Sequence, residues 1–300
     1  MRNSRLAVLP SYKGRKALVT ALFAAVLSLS TFLTATLAHA GGSMCSDLML
    51  EQLFDPRAQD KAHTAITHDL YRGREVWAKP FSANNNRNPL WKVTVRNENR
   101  ERPTLFKIRP YGDADGWNRT TMEYVAYEIN RMLDMDLVPP AAYRKGFKIQ
   151  GNDVGEGAII YMVPDAHGLK DVSPKNWGLR ADLFLSDTRV LDILIENPDR
   201  HIDNFIRGKH WVDGSYRPML IDHAAGLRGH GLRLHHDNAF GTGGVRKIRA
   251  RTLRALERLD FHDLQRLKEF ISEDEMRAIL KRRDQIVEDA RHLEIVSDNG

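Results

Sequence analysis

Cysteine is nearly absent from this sequence of 300 residues, which contains only Cys45. A single cysteine excludes an intramolecular disulfide. Three positions before it stands Gly42, where a lipoprotein signal usually has an apolar residue. Without disulfides the chain needs a hydrophobic core of ordinary size, which this length can supply. Internal repeats and low-complexity tracts are also missing, as is any apolar segment of membrane-spanning length after Leu37.

Acidic residues are missing from the first 40 residues, which carry five Lys and Arg. These bases precede an uncharged apolar stretch, 17–37, and residues 38–40 (Ala-His-Ala) match the small-x-small pattern of a signal-peptidase site. The pattern predicts an export signal over 1–40 and a periplasmic or secreted chain that starts at Gly41. Because the stretch is long enough to span a bilayer, a retained membrane anchor is the alternative. In both cases the bulk of the protein faces outward.

The excess of positive charge also belongs to this segment. The whole sequence has 45 Lys and Arg against 39 Asp and Glu. Since five of the bases lie in residues 1–40, the remainder has 40 bases against 39 acids. A net charge near +1 gives little support to nucleic-acid binding, so we expect no nucleic-acid partner. A membrane partner is expected only if the N-terminal segment is retained.

The sequence after the export signal falls into two parts. Residues 71–161 favour short strands, interrupted by one helix between Thr121 and Leu133, where apolar residues recur at helical spacing on one face. Residues 137–140, which end in two prolines, end this helix. The strands are expected near 90–95, 104–109, 141–149 and 157–162.

After residue 163 the pattern is mainly helical, with Ser272 and Glu275 spaced as a capping box at the start of the last helix. We therefore predict an α+β, two-lobed fold with a hinge at 162–167. A leader and a sheet-rich lobe would occupy 41–163, and a helical lobe 164–300. Helices are expected near 183–196, 251–258, 262–270 and 273–291.

One segment of the helical part carries the spacing of phosphoryl-transfer chemistry. Such chemistry needs a cation on the phosphates, oxygen ligands for a divalent metal and an acid that orients the acceptor hydroxyl. Asp199 and Asn204 stand five positions apart, as do the base and a metal-binding Asn in kinase catalytic loops. Asp222 directly follows the apolar residues Leu220 and Ile221 at the end of a predicted strand.

The sheet-rich part offers a cation and an acid, which would complete the residues that phosphoryl transfer needs. Lys107 lies in the short apolar strand 104–108, from which its side chain could reach phosphate. Glu123 is the first acid of the following helix, so the two could form the lysine–glutamate pair that holds a nucleotide in kinases.

The spacing of Asp213-Gly214 predicts a two-residue hairpin turn between strands 204–212 and 215–222. In that register Asp222 lies opposite Phe205, beside Asn204, and both could address one metal. Oxygen ligands of this kind suit magnesium or manganese better than zinc. A longer loop would shift the register by a residue or two.

Each of these residues also has a structural interpretation. Glu123 stands three positions after Thr120, as in a capping box. Asp199 follows Asn-Pro and could be a turn residue. Lys107 could be an ordinary solvent-facing residue of its strand. The order in which these residues occur along the chain favours the functional interpretation. It is Lys, Glu, Asp-x4-Asn and then an Asp at the end of a strand.

Histidines are frequent after Asp199 and raise the alternative of a zinc site. Their spacings match no standard ligand pattern and no cysteine accompanies them, so we give this alternative little weight. His201 could instead orient the catalytic loop. The histidines concerned are His201, His210, His223, His230, His235 and His236.

Three blocks resemble the atypical kinases that include secretory-pathway kinases of the Golgi casein-kinase type, phosphatidylinositol 3-/4-kinases and HipA-like kinases. They are 122–133 (MEYVAYEINRML) with the exit 138–140 (VPP), 191–201 (LDILIENPDRH) with Asn204, and 220–223 (LIDH). A looser likeness extends from about residue 105 to the C-terminal helix, where 281–284 (KRRD) is also similar.

The resemblance implies a kinase that uses ATP or another nucleoside triphosphate with Mg²⁺ or Mn²⁺. It makes Asp199 the catalytic acid, Asn204 and Asp222 metal ligands, Lys107 the phosphate-binding lysine and Glu123 its partner. Two hinge residues, Met162 and Val163, are expected to contact the nucleotide. A protein hydroxyl is the preferred acceptor and a sugar or lipid headgroup the next; a nucleotidyl transferase and a nucleotide-binding pseudokinase are the alternatives.

Some positions depart from the family pattern. No GxGxxG precedes Lys107, and we consider residues 81–88 for the phosphate-covering loop. Glu196 stands where glycine is common, and Ala224 replaces the glycine expected two residues after Asp222. Animal secretory kinases are disulfide-rich and this chain is not, which favours a bacterial exported relative. ATP is scarce outside the cytoplasm, and the sequence does not determine which phosphate donor an exported kinase would use or how it is supplied.

Overall fold

The structure, a computed structural model, divides the chain into two compact units, Met1–Ala58 and Gln59–Gly300. In the first unit it describes three residues, 56–58, the start of a helix. The predicted export signal and Cys45 lie outside the described residues. No helix in the described part is long and apolar enough to cross a membrane. The described ranges are 56–81, 89–109, 119–173, 176–177, 181–227 and 244–297.

A five-stranded antiparallel sheet forms the N-terminal lobe, preceded by helix α1 (Pro56–Arg72) and with strands in the order β1-β2-β3-β7-β4. The sequence pattern predicted neither α1 nor β1. The strands are β1 (Arg74–Pro80), β2 (Leu90–Asn97), β3 (Arg100–Ile108), β4 (Ala141–Arg144) and β7 (Gly157–Tyr161), and a small β5 (Lys148–Ile149) and β6 (Asn152–Asp153) hairpin lies between β4 and β7.

The two faces of the sheet have different partners because side chains alternate along a strand. Val93, Val95 and Phe106 are buried on one face in a cluster with Ile66 and Leu70 of α1. Lys107, the next residue along β3, therefore points to the opposite face. The predicted single strand 141–149 is wrong, since the chain turns through Gly146, at a φ of 63°, between β4 and β5.

Helix α2 (Thr121–Met132) follows the predicted bounds closely. Its apolar stripe is buried, apart from the partly buried Met132, and joins the large core of the C-terminal lobe. The helix thus connects the sheet to the helical lobe, and its first turn, which contains Glu123, faces β3.

The described part of the C-terminal lobe contains four α-helices, α3–α6, and five short strands, β8–β12. The predicted Ser272–Glu275 capping box is confirmed: the Glu275 N–H donates to Ser272 Oγ at 3.2 Å and the Ser272 N–H to Glu275 Oε2 at 2.7 Å. The elements are α3 (Ala181–Leu194), α4 (Ala250–Arg258), α5 (Phe261–Gln265), α6 (Glu273–Ala290), β8 (His167–Gly168), β9 (Phe205–Lys209), β10 (Tyr216–Leu220), β11 (Lys247–Arg249) and β12 (Glu294–Val296).

These elements confirm the α+β, two-lobed fold. The helix expected at 262–270 is shorter, because α5 ends at Gln265 and turns lead to Ile271. The predicted hinge, 162–167, connects β7 to β8. An aromatic cluster of Trp177, Phe184 and Phe205 fills the core beside it.

The two-residue hairpin expected at Asp213-Gly214 is wrong. In the β9–β10 ladder Leu220 pairs with Phe205 and Tyr216 with Lys209, so the register differs by two residues and the loop has six, 210–215. The Asp213 carboxylate holds this longer loop, because it accepts hydrogen bonds from the Ser215 N–H at 2.9 Å and hydroxyl at 2.7 Å.

Candidate functional site

Lys107 and Glu123 form a buried ion pair where the sheet meets α2. Lys107 Nζ donates to Glu123 Oε1 at 2.8 Å, and the two residues are 7% and 3% exposed. The capping-box interpretation of Glu123 is wrong, because Thr120 makes no side-chain cap. The Glu123 carboxylate is therefore directed at Lys107 instead of its own helix end.

The ion pair fixes the charge of both groups. Burial by itself lowers the pKa of Lys107, but the charges of Glu123 and Asp222 outweigh it and raise that pKa above its usual value. Burial likewise raises the pKa of Glu123, and the charge of Lys107 together with a His223 hydrogen bond lowers it well below the usual range. Both groups are ionised at neutral pH.

Asp222 contacts the same lysine from the helical lobe. Its Oδ1 accepts a hydrogen bond from Lys107 Nζ at 2.8 Å, while its side chain stays 51% exposed. The residue lies just beyond β10 in a left-handed conformation, with a φ of 57°. This conformation costs a non-glycine residue about 1 kcal/mol. The turn aims a solvent-accessible carboxylate at the ammonium group.

Asp199 and Asn204 are joined through the backbone of their loop. Asn204 ends the 3₁₀ turn Ile202–Asn204, and its Nδ2 donates to the Asp199 carbonyl at 2.8 Å. The Asp199 N–H donates to Asn197 Oδ1 at 3.2 Å. Because Nδ2 is engaged in this way, the amide oxygen of Asn204 is the atom available to a metal. The exposed Asp199 carboxylate takes no part in these contacts.

Arg200 holds this loop in place. The sequence had suggested His201 as the residue that orients it. Its guanidinium pairs with the buried Asp192 at 3.0 Å and donates to two carbonyls, of Asn204 at 3.3 Å and of Ile221 at 2.7 Å. His201 is exposed and its ring lies 3.7 Å from Asp203. Arg200 directly follows Asp199, and that adjacency was the available signal.

The same brace brings the loop to the end of β10. The Ile221 N–H donates to the Asn204 carbonyl at 3.1 Å, so Asp222 follows a residue that is bonded to Asn204. The predicted neighbourhood of Asp222 and Asn204 thus holds along the backbone, even though the strand register differs.

The hinge residues Met162 and Val163 are already engaged within the protein. The Met162 N–H donates to the Pro103 carbonyl at 2.9 Å, which extends the β3–β7 ladder. Val163 is buried against Gly208, where an added Cβ would meet Val163 Cγ1 at 2.6 Å. A nucleotide contact at Met162 would have to use other atoms than this N–H.

The β1–β2 connection ends opposite Lys107. Leu90 pairs with Lys107 in the β2–β3 ladder, and the Phe81 N–H donates to the Leu90 carbonyl at 2.8 Å. The connection considered for phosphate covering therefore rejoins the sheet beside the lysine. Residues 82–88 lie outside the described part of the chain.

Contacts with α6 explain why a glutamate, Glu196, can occupy a position where glycine is common. Glu196 has a φ of 49°, a left-handed conformation that glycine adopts without strain. Its carboxylate pairs with Arg282 at 3.1 Å, and Arg282 also donates to the Leu194 carbonyl at 2.8 Å. Glutamate is held here by α6, through the segment 281–284 that the sequence analysis noted.

Asp222 and Asn204 are the two residues of this site whose oxygens could hold a metal. Within the described ranges no group of three or more His, Cys, Asp or Glu could hold a metal ion. Asp222 and Asn204 offer one carboxylate and one amide oxygen, a set that suits Mg²⁺ or Mn²⁺ completed by phosphate oxygens and water. Of the six histidines, His230, His235 and His236 lie outside the described residues.

No family model matches the chain, and no curated protein matches it. The solved structures that match include the crystal structure of a Helicobacter pylori proinflammatory kinase, CtkA. It is 15% identical, with a TM-score of 0.43, and the match covers 75% of this chain and 94% of that chain. A likeness this distant assigns no family.

Proposed function

We propose that this chain is a metal-dependent phosphotransferase of the kinase type. The observation that carries the proposal is the position of Lys107 Nζ, 2.8 Å from both Glu123 and Asp222. A buried lysine held between a helix carboxylate and a half-exposed carboxylate is arranged to receive phosphate oxygens beside a metal ligand. The proposed donor is ATP or another nucleoside triphosphate.

Each residue has one role in the proposed reaction. Lys107 binds phosphate oxygens and Glu123 keeps its ammonium group in place. Asp222 and Asn204 would hold Mg²⁺ or Mn²⁺, which neutralises phosphate charge when bound. Asp199, whose carboxylate is exposed and whose backbone is fixed by Asn204, accepts the proton of the acceptor hydroxyl. Arg200 keeps the loop that carries Asp199 against the strand that carries Asp222.

The proposed acceptor is a protein hydroxyl, with a sugar or lipid headgroup next. The proposed location is outside the cytoplasm, as the N-terminal pattern predicts. The group that an acceptor gains, phosphoryl or nucleotidyl, separates a kinase from a nucleotidyl transferase by mass. Nucleotide binding without any turnover would identify a pseudokinase.

Calorimetric titration of the full chain with ATP, with and without Mn²⁺, tests the proposal. We expect metal-dependent binding that Asp222→Asn weakens at least about tenfold, because the substitution removes the charged ligand. Asp203→Asn is the matched control, since Asp203 is exposed in the same loop and pairs with Lys170 at 3.7 Å. A folded wild-type protein that binds no nucleotide would refute the proposal.

A further inference from the structure

His223, directly after Asp222, shares its carboxylate partner with Lys107. Its backbone N–H donates to Glu123 Oε2 at 3.1 Å, and its ring Nδ1 lies 3.3 Å from the same oxygen. Because an ionised carboxylate only accepts, Nδ1 is the donor. Glu123 Oε1 accepts from Lys107. The two oxygens of one buried carboxylate thus serve two parts of the chain.

These contacts close a ring. Lys107 bonds to Glu123, Glu123 to His223, and the backbone leads one residue back to Asp222, which bonds to Lys107. The left-handed φ of Asp222 allows its side chain and that of the next residue to reach the two ends of the same ion pair. Losing one link therefore weakens the restraint on the other groups of the ring.

Burial makes the His223 link a strong one. His223 is 1% exposed and Glu123 3% exposed, so water does not replace a missing donor there. Hydrogen bonds to a buried charged group are stronger than neutral ones, and a carboxylate oxygen that loses a donor shifts toward another. Without the His223 ring, Glu123 Oε2 keeps the backbone N–H of His223 but loses its side-chain donor. The carboxylate can then turn further toward Lys107, whose ammonium group would be drawn away from Asp222.

We propose that His223 is a positioning residue, which holds Glu123 so that the Lys107 ammonium and the Asp222 carboxylate keep the separation needed for a nucleotide and its metal. This inference rests on the proposed function, because it concerns the geometry of that site. It adds a residue for which the sequence offered only a zinc alternative. His223 touches neither nucleotide nor acceptor in this role and acts through Glu123.

A histidine that merely fills the core would behave differently on substitution. Leucine fills a similar volume without a side-chain donor, whereas the Asn side chain can place Nδ2 close to the position of the histidine Nδ1. A packing role predicts that His223→Leu is the milder change. A positioning role predicts that His223→Asn is milder, since it restores the donor to Glu123 Oε2.

The test compares the full-length wild type, His223→Leu and His223→Asn. Calorimetry gives the ATP affinity with Mn²⁺, and ATP hydrolysis gives kcat and KM. We expect His223→Leu to weaken affinity about tenfold or more and to lower kcat, and His223→Asn to recover most of both. His210→Leu is the matched control, because His210 is equally buried, at 2% exposure, and lies outside the ring.

Urea unfolding of His223→Leu, Glu123→Gln and the double variant supplies a readout that needs no nucleotide. We expect the two substitutions to be coupled, with the double variant more stable than the sum of the single effects predicts. If the wild type binds ATP and His223→Leu binds it equally well, the positioning role is wrong and the proposed function stands. If the wild type binds no nucleotide, the proposed function fails, and the absence of coupling would overturn the His223 link too.

Discussion

Lys107 and Asp222 stand 115 positions apart in the chain, yet Lys107 Nζ and Asp222 Oδ1 are 2.8 Å apart. The same nitrogen lies 2.8 Å from Glu123, only 16 positions away. One ammonium group is therefore shared by a buried carboxylate of the sheet-rich lobe and a half-exposed carboxylate of the helical lobe. The two contacts have different energetic consequences, because a buried charge that loses its partner stays unsolvated.

Replacing Lys107 by Met should therefore affect folding as well as activity. Lys107→Met leaves the Glu123 carboxylate buried without its countercharge, and we expect a loss of about 3 kcal/mol in the free energy of unfolding. The double variant Lys107→Met/Glu123→Gln should recover most of that loss and still bind no nucleotide. Urea unfolding and ATP calorimetry on the two variants check this. Equal stability of both would contradict the buried-pair account.

Replacing Asp199 should affect activity but not folding. Its backbone holds the loop together, through Asn197 and Asn204, while its carboxylate is exposed. We expect Asp199→Asn to abolish phosphoryl transfer with a change in unfolding free energy of no more than about 0.5 kcal/mol. Phosphate transfer from labelled ATP, measured beside Asp203→Asn, is the test. Undiminished transfer would remove Asp199 from the proposed role.

Arg200 should be required for loop structure. Arg200→Ala removes the guanidinium that pairs with the buried Asp192 and donates to the Ile221 carbonyl, so we expect a loss of about 3 kcal/mol in stability. Arg200→Ala/Asp192→Ala removes the stranded charge and should recover part of the loss. Thermal unfolding of both variants measures the difference. If Arg200→Ala is as stable as the wild type, the contacts of Arg200 contribute nothing to stability.

Glu196 offers a test of backbone strain. Both Glu196→Ala and Glu196→Gly lose the ion pair with Arg282, but only glycine adopts a φ of 49° without strain. We expect the alanine variant to be less stable than the glycine variant by about 1 kcal/mol. Comparing the two variants with each other cancels the other contacts of the glutamate. Equal stabilities would rule out strain at this position.

His210 predicts a pH dependence of stability. Burial, aided by the charge of Arg217, lowers its pKa from the ordinary 6.5 to about 4, although Asp136 and Asp213 act in the opposite direction. The unfolded chain therefore binds a proton between pH 6.5 and 4 that the folded chain does not, and stability falls as the pH drops through this window. The full effect is about 3 kcal/mol.

The substitution His210→Gln should remove this slope. Urea unfolding at pH 7 and pH 5 measures it, with His262→Gln as the control, since His262 is exposed on α5. The wild type and the control should lose stability over this range, and His210→Gln should lose less. An identical slope in all three proteins would show that His210 does not titrate as the structure implies.

Local patterns predicted the parts of the fold that local interactions determine. Helix α2 followed from the spacing of its apolar residues, and the start of α6 from its capping box. Helix α1 was missed because its attachment to the sheet combines a short apolar contact, through Ile66 and Leu70, with buried polar groups. Asp69, completely buried, accepts hydrogen bonds from Asn97 at 2.9 Å, Arg100 at 2.9 Å and Arg102 at 3.0 Å. Such pairing between distant residues leaves no periodic signal.

The hairpin register was wrong for a similar reason. Asp213-Gly214 is a strong local turn signal, but Trp211 Nε1 donates to His63 of α1 at 3.2 Å and Asp213 holds Ser215, which together favour the longer loop. For the site, residue types and their order identified Lys107, Glu123, Asn204 and Asp222 as candidates that the fold brings near one another. The link through His223 was invisible, since it depends on the conformation of Asp222.

The ring of Lys107, Glu123, His223 and Asp222 also bears on how the protein folds. Its first link spans 16 residues, whereas the links to His223 and Asp222 span 100 and 115. Contacts of such sequence separation form late, because loop closure opposes them until most of the chain has condensed. The proposed nucleotide site would then be completed last, so an intermediate with a formed sheet and α2 could not bind a nucleotide. Added nucleotide would slow unfolding without accelerating refolding.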